Sequence, residues 1–143
     1  MPREQKQRRG RRGRESVELN YVIRFRPEYL DKVLRGEKNI TLRLGIVRPR
    51  FGEVLIVCGN KAYGICEIES MDVTTIDKLD EKIVKLEGFK SREELLQALR
   101  ELYPDVVERD LVTIIRFRVR KIFQRPIPLN KAVTDFKEGY IHD

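Results

Sequence analysis

Tryptophan is absent, histidine occurs once, at His142, and the 143 residues hold only two cysteines. A lone histidine excludes a histidine-based catalytic triad and a multi-histidine metal site within one chain. No metal and no cofactor is expected. Two cysteines cannot build a disulfide framework. Cys58 and Cys66 are expected on the two arms of one hairpin, offset from each other, as reduced core residues. No apolar run approaches the ~20 residues that cross a bilayer. The charged N-terminus lacks the apolar stretch of a secretory signal. The expected setting is soluble and cytoplasmic. Asparagine and glutamine are sparse too, which together with abundant charge suits a thermophile.

What the chain does contain is charge, at 37% of residues, and enough hydrophobic residues, 41%, to bury a core. The net charge of +7 is unevenly spread. Arg3, Lys6, Arg8, Arg9, Arg11, Arg12 and Arg14 face only Glu4 and Glu15 within residues 1–16, so this segment carries +5 of the +7. It holds almost nothing to bury and cannot offset the entropy of ordering by itself. A basic tail is expected over 1–16, disordered or ordered by RNA. A folded domain is expected over 17–123, and an extension outside the core over 124–143.

Periodicity places the elements of the domain. Leu19, Tyr21, Ile23 and Phe25 alternate as in a strand. Pro27 suits the first turn of a helix whose apolar face is Tyr29, Leu30, Val33 and Leu34, with Gly36 as its stop. Residues 36–43 form a turn into a short strand. Val54–Cys58 and a return strand over about 62–69 flank a turn at Gly59-Asn60-Lys61. Thr75 is expected to cap a helix with Ile76, Leu79, Ile83 and Leu86 on one buried face, ended by Gly88. Ser91 and Glu94 make a capping box for a helix that buries Leu95, Leu96, Leu99 and Leu102 and stops at Tyr103-Pro104. Residues 111–123 read as a long final strand with Arg116, Arg118 and Arg120 on one face, a solvated surface or a continuation of the basic tail. Short hairpin-linked strands among helices point to an α+β fold, a small β-barrel or curved sheet with two or three helices.

The segment Gly36-Glu37-Lys38-Asn39-Ile40-Thr41-Leu42-Arg43 resembles the G-x-K-x-x-T-x-R signature of the ASCH domain, a family of the PUA-like superfamily. The likeness runs through the preceding helix, Phe51-Gly52-Glu53, the strand containing Gly64 and the final strand, about residues 19–123. It implies a PUA-like barrel. The chain is similar in particular to small members that hydrolyse acylated cytidine with a lysine, a threonine and a glutamate. That resemblance carries those roles to Lys38, Thr41 and Glu87, with Asn39 standing where threonine is common.

Such chemistry is physically reasonable. A threonine hydroxyl needs a neighbouring base to act as nucleophile, and a lysine desolvated in a cleft can be one. Positions 38 and 41 point to opposite faces of a regular strand, so the chain must bend near Lys38, which Gly36 permits. Lys38, Thr41 and Arg43 admit three readings: a cleft for a nucleobase, nucleotide or RNA phosphate, a hydrolase site, or a structural role at the barrel rim. Tyr63 and Phe51 are expected in core packing, with stacking on bases as the alternative. The arginine-rich tail favours RNA, since each phosphate neutralised releases counterions. The expected function is RNA binding, through Arg3, Lys6, Arg8, Arg9, Arg11, Arg12, Arg14, Lys38 and Arg43, with ribosomal RNA or another large RNA assembly as partner. The alternative is an amidohydrolase acting on acylated cytidine or a related modified nucleoside.

Overall fold

A computed structural model describes residues 21–47, 51–139 and 141. The basic segment 1–16 lies outside them, as does His142. Strands are β1 (Val22–Arg24), β2 (Ile40–Leu44), β3 (Gly52–Cys58), β4 (Lys61–Thr75) and β5 (Leu111–Pro128). Helices are α1 (Pro27–Leu34), α2 (Glu81–Leu86), α3 (Arg92–Leu102) and α4 (Leu129–Lys137), with a 3-10 turn at Ile76–Lys78. The strands form one sheet in the order β1-β3-β4-β5-β2, antiparallel except for the parallel β1–β3 pair. The fold is α+β, a curved mixed sheet whose edge strands are β1 and β2.

Alternation along the strands divides the core between the two faces. On one face Val54 and Ile56 of β3 and Ile115 and Phe117 of β5 pack with Phe25 and with Val33 of α1. On the other, Leu55 and Val57 join Phe123, Ile127 and Ala132 of α4, while Ile40, Val112 and Ile114 pack under α2 and α3. Register shifts let the long β4–β5 ladder coil. Gly64 sits at one of them, where a Cβ would come within 2.2 Å of the Lys121 carbonyl oxygen. Only glycine allows the two backbones to approach that closely.

Several expectations are corrected here. Of the extension expected outside the core, residues 124–137 are part of the fold: β5 runs on to Pro128, and α4 buries Ala132 and brings Ile127 into the core. It adds a helix to the two or three expected. It also explains why Val22 and Ile23 are both buried where simple alternation exposes one. The helix expected from Thr75 is broken. Leu79 is extended, Asp80 caps α2 by accepting from the Lys82 amide, and the Thr75 hydroxyl bonds the Asp77 carboxylate without capping anything. Leu86 is consequently 63% exposed and Val84 takes the buried place. Leu102, in the last turn of α3, is likewise exposed, as is Phe51 at 62%. β4 continues past Glu69 to Thr75 because β5 offers partners along its whole length.

Candidate nucleobase site at the start of the β2 edge strand

Gly36 ends α1 with φ +78°, and the amides of Glu37 and Lys38 both donate to the Lys32 carbonyl, at 2.8 and 3.1 Å. This turn supplies the bend that the motif requires, because β2 does not begin until Ile40. Lys38 leaves the turn inward. Its side chain is 7% exposed, and its Nζ donates to Glu87 Oε1 at 2.9 Å, the carboxylate itself being 13% exposed. Tyr29 of α1 places its ring 5.2 Å from the ammonium, an added cation–π contact.

Glu87 is set by local features of α2. It is the residue that caps the helix C-terminus, with Gly88 following at φ +103°. From there its second oxygen, Oε2, accepts from the Leu42 amide at 3.4 Å. Glu87 therefore meets the lysine and also an amide of the edge strand. Leu42 follows Thr41, which is buried with 4% exposure. Among the described residues no hydrogen bond joins the Thr41 hydroxyl to either partner. Thr41 and Arg43 pair with Ile115 and Thr113 and share a face of β2, as the two-residue spacing requires.

Arg43 ties the two edges of the sheet together. Its Nη2 donates to the Arg24 carbonyl on β1, and its guanidinium lies 5.4 Å from the Phe25 ring centroid. β1 and β2 are the two edges of the sheet, so this side chain spans the seam between them. Burial lowers its pKa from the ordinary arginine value, while Glu87 and then Tyr103 favour the charged form. Tyr103 is a neighbour of the site that helix-stop reasoning did not reveal. Its sequence signal, an aromatic before proline, speaks of the end of α3 and nothing else.

A half-open hollow of about 400 Å³ lies beside Lys38, between the α1–β2 turn and strands β4 and β5. A second hollow, about 430 Å³, is lined by Glu93, Glu94, Gln97 and Glu101 of α3 and touches none of the motif residues. Arg116, Arg118 and Arg120 are all exposed as expected, and Arg118 and Arg120 both bond Glu67 on the neighbouring strand, at 3.2 and 3.0 Å. Those two arginines are charge-paired. Cys66 is buried and Cys58 half-buried, both free, and they pair in register with Val54 and Lys61.

The described residues include no helix long and apolar enough to cross a membrane. No curated protein gives a significant match. Among solved structures, the ASCH protein of Zymomonas mobilis aligns with a TM-score of 0.57 and 21% identity, over 85% of this chain and 81% of that one. The ASCH domain of Lactobacillus crispatus JV V101 gives 0.52 and 24%, over 64% and 69%. A protein of Enterococcus faecalis V583 gives 0.54 and 19%, over 66% and 71%. These are likenesses of fold. The family model of the ASCH domain matches residues 21–121, which span the Lys38–Glu87 site and every strand but the end of β5, and the chain belongs to that family.

Proposed function

We propose that this chain is an RNA-binding protein whose domain holds a single unstacked base at the Lys38 hollow while residues 1–16 grip phosphate. The observation that carries this reading is the Lys38–Glu87 contact at 2.9 Å, nearly closed off from water. A buried ion pair is rarely kept for stability, because apolar residues of the same size stabilise as well or better. Lys38 of this pair lines the hollow, where an ammonium offers donors to a ligand edge. The tail adds affinity that is independent of sequence, and a large assembly such as ribosomal RNA is the target its composition favours. Binding of a structured RNA by the full chain is expected to fall steeply with salt. Removing residues 1–16 should lower the slope of log affinity against log salt by roughly 3–5. An unchanged slope removes the tail from the interface.

The second reading, an acylcytidine amidohydrolase, is favoured by the same contact seen as a relay. Transfer of a proton from Lys38 Nζ to the Glu87 carboxylate leaves a neutral amine, able to take the proton of the Thr41 hydroxyl as its oxygen attacks the acyl carbon. Glu87 then gives its proton to the departing cytosine amine as the carbon–nitrogen bond breaks, and water hydrolyses the resulting ester. Acetate released from acetylated cytidine, and lost in Thr41→Ala, supports this reading. Release no faster than with heat-killed protein retires it.

A further inference from the structure

We infer that the outer face of β5 over residues 116–121, continued by Arg125, is a second phosphate-binding track for RNA, separate from residues 1–16. The inference rests on the RNA-binding reading and names the surface of the folded domain that takes part in it.

Residues 116–125 of β5 hold five cations, Arg116, Arg118, Arg120, Lys121 and Arg125, all exposed, and no carboxylate. Register decides where they point. Arg116 and Arg118 alternate with Phe117 and Val119, which pack in the core beside Phe25, so the two arginines stand on the other face. Beyond them the ladder slips: Val119 pairs with Cys66 and Lys121 with Ile65, which leaves Arg120 as an extra residue. Such a bulge breaks the alternation and re-aims a side chain. Arg120 meets Glu67 at 3.0 Å, the same carboxylate that Arg118 meets at 3.2 Å, so it lies on the face of Arg118. A wider slip, between the Gly64–Ile122 and Ala62–Ile127 pairs, sets residues 123–126 opposite Tyr63 alone and carries Arg125 out to solvent.

Among the described residues no helix covers this strip. α2 and α3 lie over Val112 and Ile114 on one side of it, and α4 lies over Phe123 and Ile127 on the other. The carboxylates beside it are Glu53, Glu67 and Glu69, fewer than the cations. Arg116 and Arg125 make no ion pair or hydrogen bond among the described residues. Glu67 is shared by Arg118 and Arg120. Each guanidinium has five donors, so one shared carboxylate leaves most of them for phosphate oxygens. It also holds the two forks side by side, which lowers the entropy lost when a ligand binds. Two relations join the strip to the rest of the RNA site. Arg118 also lines the Lys38 hollow, together with Arg35, which Asp31 and Glu37 hold at 2.7 and 3.0 Å. At the other end α4 packs on Tyr21, through the Phe136 ring at 6.4 Å and the Lys137 ammonium at 4.9 Å. The chain that carries residues 1–16 therefore enters the described fold beside the helix that bounds the strip.

The full-length protein is titrated with a structured RNA from ~50 to ~200 mM salt, and the slope of log affinity against log salt is compared among variants. The pair Arg116→Gln and Arg125→Gln, made together, removes two exposed and unpaired charges and should lower that slope by about 1.4–1.8. The pair Lys90→Gln and Arg109→Gln removes the same net charge from exposed loops on either side of α3 and should change the slope much less. An unchanged slope in the first pair, or an equal fall in both, overturns the strip as a phosphate track. RNA binding itself still stands in that case if removal of residues 1–16 lowers the slope. If the full chain shows no salt-dependent binding of RNA, the RNA-binding reading fails and this inference fails with it. Polyglutamate that binds the wild type as tightly as the RNA, at equal charge, overturns RNA as the occupant of the strip.

Discussion

Lys38 and Glu87, 49 positions apart in sequence, meet as a single ion pair 2.9 Å long whose two side chains are almost wholly withdrawn from water. One comes from the turn after α1 and the other from the C-terminal cap of α2, and the pair is where the two halves of the site join. Removing either partner leaves an uncompensated charge in a low-dielectric setting, and that asymmetry governs what substitutions do.

Lys38→Met alone and Glu87→Leu alone should each destabilise the fold by about 3–5 kcal/mol, whereas the double variant should recover most of that loss. Chemical denaturation of the wild type and the three variants measures the cycle. Additive losses would show that the pair is not coupled in the folded protein. A double variant that keeps the fold also separates ligand binding from stability.

Arg43 is expected to matter more to the seam than to any ligand. Arg43→Lys removes the planar fork that reaches the Arg24 carbonyl across the edge strands and rests near Phe25. A loss of about 1–3 kcal/mol follows from breaking a part-buried, charge-assisted hydrogen bond. Amide exchange in β1 should accelerate more than in β3 or β4. Equal protection of β1 in wild type and variant would argue that the seam is held by something else.

The two thiols should behave differently. Burial pushes the Cys66 thiol up to about 12 from 9.0, while Cys58 is half-exposed at the start of the hairpin turn. A thiol reagent near pH 8 should modify Cys58 first and leave Cys66 intact in the folded protein. The same shift predicts a pH dependence with a definite sign. The folded state holds the Cys66 proton more tightly than the unfolded chain, so its contribution is fully present below pH 9.0 and is lost as pH rises towards about 12. The slope is at most ~1.4 kcal/mol per pH unit. Comparing urea midpoints at pH 8 and pH 10 for the wild type and Cys66→Ala isolates this thiol. Parallel losses in the two proteins would mean that Cys66 contributes nothing.

Much of the fold could be read from local chemistry. Pro27 at the start of α1, Gly36 at its end, the Gly59-Asn60 hairpin turn and the Ser91 cap of α3 are all decisions made within a few residues. The site was legible for a similar reason: Lys38, Thr41 and Arg43 lie in one short motif whose spacing demands a bend, and the bend is there. Gly88 marks the helix end beside Glu87, but nothing local ties that glutamate to Lys38. Its place in the site came from resemblance, and the contact with Lys38 came from the structure.

Where local reading failed, the deciding partner lay far along the chain. The 3–4 spacing of Ile76, Leu79, Ile83 and Leu86 is helical on paper, yet Asp80 starts a new helix and Leu86 finds no core to face. Residues 124–137 look like part of a trailing extension until β4 offers Ile127 and Pro128 a ladder and α4 covers the sheet.

The amino-acid sequence by itself determined where α1 and α3 start and stop, which residues make the hairpin turn, and which family signature the chain bears. Turn dihedrals, caps and side-chain periodicity depend on neighbours only a few positions away. Tertiary structure alone decided that Glu87 neutralises Lys38, that Arg43 spans β1 and β2, and that the arginines beside the hollow are already paired. Those outcomes depend on which distant groups burial brings within 3 or 4 Å, and at that range electrostatics and hydrogen bonding outweigh any local preference.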